Sequence, residues 1–249
     1  MTEHVCADVC CQTGLTQKIV NRRIADGTKN LAKEPAMTED EALRAIRTGM
    51  EAVESIKRCG YDIFGVGEMG IGNTTTSACV LAALCGAEVV GRGGGLNDEG
   101  LAKKIRIVDE ATRGLDPADV LGILAKVGGF DICAMVGAFL GAAYYKLPAV
   151  IDGYISAVAA LAAVRLAPKA AGYLFGSHLS KEQGYRIAMD ALGIRPFFDL
   201  GMRLGEGSGC PISFKIIETA CATMNGMATF AEGAIDADYL EEGKKGNFF

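Results

Sequence analysis

The chain has 249 residues, half of them hydrophobic, with a formal net charge of −5, enough apolar material for one globular unit with a substantial core. No basic block or stripe interrupts that balance, which excludes nucleic acid as the main partner, because backbone binding needs clustered Lys and Arg. Nine cysteines, an odd number mostly in apolar context, fit a reducing cytoplasm rather than a disulfide framework. Met1-Thr2-Glu3-His4 opens no signal peptide, and the longest apolar stretch, Ile132–Tyr145 between Asp131 and Lys146, is too short for a bilayer and reads as a buried helix.

Residues 1–36 lack apolar periodicity and read as an irregular N-terminal segment with a short helix near Thr16–Ile24. Thr38 and Glu41 form a capping-box pair that starts a helix running to about Cys59, with Gly60 as its stop. Asp62–Gly67 is expected as a short buried strand, followed by a glycine-rich turn and a helix over Thr74–Cys85. Glu88–Val90 is a strand candidate, and Asn97 or Asp98 caps a helix ending before Gly114. Helices then follow over Asp116–Val127 and Asp131–Tyr144, with Gly128-Gly129 between them. Ala149–Ile151 and Tyr173–Gly176 read as strands, Tyr154–Leu166 and Glu182–Leu192 as helices, and Ile212–Phe230 as the last long helix. A polar tail, 241–249, closes a domain placed over 37–240. Short apolar strands alternating with helices define an α/β fold, a mainly parallel sheet flanked by helices on both faces, with the ligand crevice at the strands' C-terminal ends.

Two segments set a lone carboxylate among glycines. In Gly67-Glu68-Met69-Gly70-Ile71-Gly72-Asn73-Thr74-Thr75, backbone N–H groups and a helix N-terminus can cradle a phosphate, with Asn73 and Thr74 adding donors; the same loop can also be a purely structural turn. In Leu200-Gly201-Met202-Arg203-Leu204-Gly205-Glu206-Gly207-Ser208-Gly209, Glu206 is open to close approach by a ligand and, in an apolar pocket, suits a general base. Its alternative is a cap for the helix near Pro211. Lys103 and Lys104, after Gly91-Arg92-Gly93-Gly94-Gly95, can neutralise a phosphate or stay solvated, and Asp152-Gly153 is either a capping turn or a point where a loop meets substrate. His4, Cys6, Cys10 and Cys11 match no tetrahedral metal spacing. His178 reads as a loop histidine near the crevice, and Cys210 as a small packing residue.

In order and approximate spacing, the Gly67–Thr75 motif, Gly128-Gly129-Phe130, Asp152-Gly153 and the Leu200–Gly209 motif resemble the nicotinate-nucleotide:dimethylbenzimidazole phosphoribosyltransferase family, over about residues 26–233. The resemblance implies a Rossmann-like α/β fold with a small, incomplete helical part. It implies transfer of the phosphoribosyl group of nicotinate mononucleotide to 5,6-dimethylbenzimidazole or a related aromatic base, giving nicotinate and α-ribazole 5′-phosphate for the lower ligand of cobalamin. Glu206 then matches the base that takes the azole proton and Glu68 a second active-site carboxylate; Gly70, Lys104, Leu204 and Gly205 match positions around the phosphate. Asn73, Thr74, Gly128, Gly129, Asp152 and Gly153 complete the substrate-binding set. No cofactor and no metal is implied, and the expected assembly is a homodimer.

Members of that family carry a further N-terminal region with a Pro-Pro-Gly-Ser-Leu-Gly motif and part of the benzimidazole pocket, which this sequence does not hold. A natural short form, one half of a split enzyme and a fragment awaiting a complementing N-terminal segment are the three expectations. The alternative to an enzyme is a noncatalytic subunit that keeps the fold and binds a partner chain.

Overall fold

The computed structural model describes residues 24–87 and 90–234. His4, Cys6, Cys10 and Cys11, nearly all of the short helix expected near Thr16–Ile24, Glu88-Val89 and the polar tail lie outside the described residues. Two compact units are present, one ending at Ser213 and the other beginning at Phe214.

Helix α1 (Glu39–Arg58) starts as its sequence dictates. The Glu41 amide donates to the Thr38 hydroxyl at 3.2 Å, and the Thr38 amide donates to the Glu41 carboxylate at 2.8 Å, so two orphan amide donors are satisfied reciprocally. Strand β1 (Phe64–Gly65) leads through the glycine loop into α2 (Asn73–Cys85). Helix α3 (Asp98–Thr112) is capped by Asn97, whose side chain accepts from the Gly100 amide at 2.8 Å. Helix α4 (Val120–Val127) begins four residues later than its periodicity predicts. Asp116 first closes its own turn by accepting from the Ala118 amide at 2.9 Å, so capping passes to Asp119, which accepts from Gly122.

Helix α5 (Phe130–Tyr145), strand β2 (Ala149–Ile151) and helix α6 (Tyr154–Leu166) follow, then a 3-10 turn over Pro168–Tyr173, strand β3 (Leu174–His178) and helix α7 (Gln183–Leu192). Strand β4 (Pro196–Phe198) and helix α8 (Cys210–Gly226) complete the described chain. β4 escapes sequence detection because it has three residues and begins with a proline, a composition tolerated only at a sheet edge.

The four strands are parallel, in the order β1-β2-β3-β4. This is the expected α/β class, wound in one direction without the reversal of strand order found in dinucleotide-binding sheets. The core lies around α6, in which every residue from Tyr154 to Ala163 is buried. A helix apolar on all sides must be enclosed, whereas α1 keeps a polar face outward and buries only Ala42, Ala45, Ile46, Thr48, Gly49 and Val53.

Helices α1 and α5 meet through glycine. A methyl group at Gly49 would intrude on the Ala134 carbonyl, and one at Gly137 on the Ile46 carbonyl. Gly49→Ala and Gly137→Ala are each expected to cost about 1–3 kcal/mol, a net loss even after the gain of up to about 1 kcal/mol in helix propensity. Urea denaturation checks this, with the midpoint falling for both variants.

Candidate active site

Parallel strands place all their C-terminal ends on one edge of the sheet, and the loops leaving those ends enclose a cleft of about 640 Å³. The loop after β1 supplies Glu68, Gly70, Asn73 and Thr74; the end of β2 supplies Asp152 and Gly153; Ser180 and Glu182 follow β3; and Arg203, Leu204, Gly205 and Glu206 follow β4. Residues 92–96 and Lys104 close the remaining side. Gly128 and Gly129 lie outside this lining and form the junction of α4 and α5, as C-cap of one and N-cap of the other.

The Glu206 loop is shaped by three successive left-handed residues, Gly205 (φ +75), Glu206 (φ +57) and Gly207 (φ +80). Glycine reaches this region without cost, but a glutamate there is held by its surroundings. The holder is Asp152, which is 2% exposed: its carboxylate accepts from the Gly207 amide at 2.9 Å and the Gly209 amide at 2.7 Å. Burial pushes the Asp152 carboxyl above its ordinary range, against the pull of those amides and of His178. At Gly67 the glycine loop comes so close that an added methyl would stand 2.6 Å from the Glu206 backbone carbon. Cys210 packs at the same seam, its Sγ 3.8 Å from the carbonyls of Val66 and Val150.

Glu68 is half-buried and tied down from its own loop. Its carboxylate accepts from the Gly70 amide at 3.1 Å and from the Asn73 side-chain amide. Burial raises its carboxyl above the ordinary range, the nearby charges of Asp131 and Asp152 push the same way, and the two donors oppose them.

The same cleft also offers groups that favour anions. Helices α2 and α6 begin at Gly72 and Gly153, which have no side chain with which to cap, and their first turns, Asn73-Thr74-Thr75 and Tyr154-Ile155-Ser156, are uncharged and line the cleft. Two helix N-termini with their partial positive charge thus open on one space. Lys104 joins them: 4% exposed, it donates to the Thr74 hydroxyl and the Gly91 carbonyl, each at 2.9 Å, while Lys103 stays exposed. Burial lowers the Lys104 ammonium below its ordinary value, with Glu182 acting in the other direction. Arg92 braces the adjoining glycine loop through the Leu96 carbonyl at 2.9 Å and the Asp98 carboxylate at 2.5 Å.

His178 departs from the loop placement expected from the sequence. It is the last residue of β3, fully buried, with Nδ1 3.0 Å from the Ser177 hydroxyl and 3.7 Å from Asp152. The Gly176-Ser177 pair looks like a turn, yet β3 continues through it because it pairs with β4, Gly176 opposite Pro196 and His178 opposite Phe198. Burial lowers the His178 imidazole below its ordinary value. Positions that sequence reasoning passed over are the α6 N-terminus, Glu182 and Arg203, which line the cleft, and Asp131, which bonds Asn73 behind it. A Gly-Gly pair followed by an acid at a helix start was the one available sign of Asp131. Among the described residues no His, Cys, Asp and Glu cluster is arranged to hold a metal, and no helix is long and apolar enough to cross a membrane.

The chain belongs to the phosphoribosyltransferase family, whose model matches residues 2–235. Over 235 residues it is 55% identical to the nicotinate-nucleotide–dimethylbenzimidazole phosphoribosyltransferase of Clostridium perfringens, a match covering 92% of this chain and 65% of that protein. The protein of the same name from Clostridium tetani is 47% identical over 252 residues, covering 96% of this chain and 70% of its own. Among solved structures, CobT from Thermus thermophilus superposes with a TM-score of 0.82 at 39% identity, covering 90% of this chain and 70% of that one. The chain therefore spans about two thirds of the length of the curated relatives it matches.

Asp152→Ala should strand the amides of Gly207 and Gly209 at a cost of about 1–3 kcal/mol for each group left without a partner. Hydrogen exchange at those two amides should accelerate more than at α1, which the substitution does not touch.

Proposed function

We propose that this chain carries the catalytic cleft of an enzyme that transfers the phosphoribosyl group of nicotinate mononucleotide to 5,6-dimethylbenzimidazole or a related aromatic base. The products are nicotinate and α-ribazole 5′-phosphate, on the route to the lower ligand of cobalamin. One observation supports this reading above the others: two glycine-flanked carboxylates, Glu68 and Glu206, share a cleft with Lys104 and two helix N-termini suited to a phosphate. The names of the relatives point to the same substrates. A noncatalytic subunit has no use for such an arrangement.

The chemistry accounts for each group. As nicotinate leaves C1′, positive charge develops on the ribose, and the azole nitrogen attacks from the opposite face, so a β-nucleotide becomes an α-product. Glu206 takes the azole proton as the new bond forms, and Glu68, when ionised, faces the charge on the ribose. Gly70, Thr74, Lys104, Leu204 and Gly205 surround the phosphate, which keeps C1′ in line with the base, and Asn73 lines the cleft beside them with its side chain on Glu68. Asp152 keeps the Glu206 loop in place, and Gly153 opens α6 beside it. The free thiols of Cys59, Cys79, Cys85, Cys133, Cys210 and Cys221 suit a cytoplasmic setting. A second copy of the chain or a complementing N-terminal segment is the partner we propose, and sedimentation velocity distinguishes them.

Lys104→Ala should weaken nicotinate mononucleotide binding by about 1–3 kcal/mol, the range of a charge-assisted hydrogen bond, and Lys103→Ala by much less. Isothermal titration checks both. Because burial lowers the Lys104 ammonium, affinity in the unsubstituted chain should begin to fall at a lower alkaline pH than a surface lysine would give. Equal effects of the two substitutions would remove Lys104 as the phosphate partner.

Glu206→Gln keeps the side chain's shape and removes the proton acceptor. Turnover on dimethylbenzimidazole should fall by about 10²–10⁴, with nucleotide affinity nearly unchanged. Steady-state kinetics of the active assembly checks this, and near-normal turnover would return Glu206 to a capping role.

A further inference from the structure

Asn73 stands between two carboxylates. Its Nδ2 donates to Glu68 Oε2 on the cleft side and to Asp131 Oδ2, at 2.8 Å, on the other. With an acceptor-only group on both sides, the amide can present only its NH₂, so its orientation is fixed. Asp131 lies 58 residues away in sequence, in the first turn of α5, and is not part of the cleft lining. Two glycines make room for the arrangement. A methyl at Gly70 would stand 2.7 Å from both Asn73 Nδ2 and Asp131 Oδ2, and one at Gly129 would stand 2.5 Å from Asp131 Oδ1.

We infer that Asp131 is a positioning residue for the cleft: it fixes the Asn73 amide and, through it, the Glu68 carboxylate that faces substrate. Gly129, outside the cleft, serves the same purpose by admitting the Asp131 side chain. The charged groups around Glu68 are Asp131 from α5, Asp152 from the end of β2, and Glu206, Glu182, Lys104, Arg92 and Arg203 around the cleft. Asp131 acts on Glu68 through its negative charge, which disfavours a second carboxylate nearby, while its oxygen holds the second N–H of the Asn73 amide and leaves the first to Glu68. Asn73 acts with the opposite sign, because its N–H stabilises the ionised form of Glu68.

That opposition gives a test. Glutamate labelled with ¹³C at Cδ, with Glu68→Gln to assign the resonance, reports the Glu68 titration directly and requires no turnover. Asp131→Asn should move the Glu68 titration to lower pH, and Asn73→Leu should move it to higher pH. Shifts of opposite direction show that the Asp131 charge and the Asn73 amide both act at Glu68, which a residue that only supports the fold does not do. If Asp131→Asn fails to fold, Asn73→Leu is read alone, and a Glu68 titration that does not move to higher pH in it overturns the inference. A Glu68 titration that stays in place, or moves the same way in both variants, overturns the inference.

The kinetic consequence rests on the phosphoribosyl-transfer reading. In the active assembly, Asp131→Asn should lower kcat about ten- to a hundredfold, the effect of a misplaced reacting group, while the KM for nicotinate mononucleotide changes little. Failure of the unsubstituted chain to bind nicotinate mononucleotide would overturn that reading and leave the titration result standing. An unchanged kcat in Asp131→Asn would overturn the positioning role itself.

Discussion

The contact between the Asp152 carboxylate and the amides of Gly207 and Gly209 is the constraint on which the cleft depends. It joins the end of the central strand β2 to the loop that carries Glu206, two segments more than fifty residues apart in sequence. It works together with the loop's own turn bonds, Ser208 N–H to the Gly205 carbonyl and Cys210 N–H to the Gly207 carbonyl, each at 3.0 Å, to fix a run of three left-handed residues. The bond also explains why a buried acid is tolerated at this position: its oxygens receive backbone donors, which offset much of the cost of desolvation. The neighbouring Ser177 donates to the Asp152 carbonyl at 3.1 Å, so the same residue is held through its backbone as well.

The cleft gathers charges of both signs. Glu68 and Glu206 share it with Lys104 and the open N-termini of α2 and α6, and Glu68 is bonded to Asn73, the first residue of α2. Each group is set by others behind it: Asp152 behind Glu206, Asn73 and Asp131 behind Glu68, and the Gly91 carbonyl and Thr74 hydroxyl behind Lys104. Such backing converts flexible side chains into fixed ones, which is what a cleft that acts by geometry and electrostatics requires.

Much of this was legible in the sequence, for reasons that differ from element to element. The α1 start was legible because a capping box is a local pattern, and the buried α6 because an unbroken apolar run has one solution. Glu68 and Glu206 stood out because carboxylates between glycines have no structural purpose of their own. What escaped was non-local. Strand β4 exists only by pairing with β3, and His178 is buried by that same pairing. Asp131 reaches Glu68 through a side chain 58 residues away, a link that no spacing rule contains. The resemblance of whole motifs to a family supplied the functional reading that individual residues could not.

The sequential order of the sheet, β1-β2-β3-β4, bears on how the protein is made. The cleft draws on the loops after all four strands, so its closing contacts are far apart in sequence and carry a high loop-closure cost. During synthesis the β1 and β2 loops emerge before the Glu206 loop, and the Asp152 carboxylate must wait, without its two amide donors, until the chain beyond β4 has left the ribosome. A partly made chain thus holds an acid that has no reason yet to be buried, and the last loop to arrive is the one that closes the site.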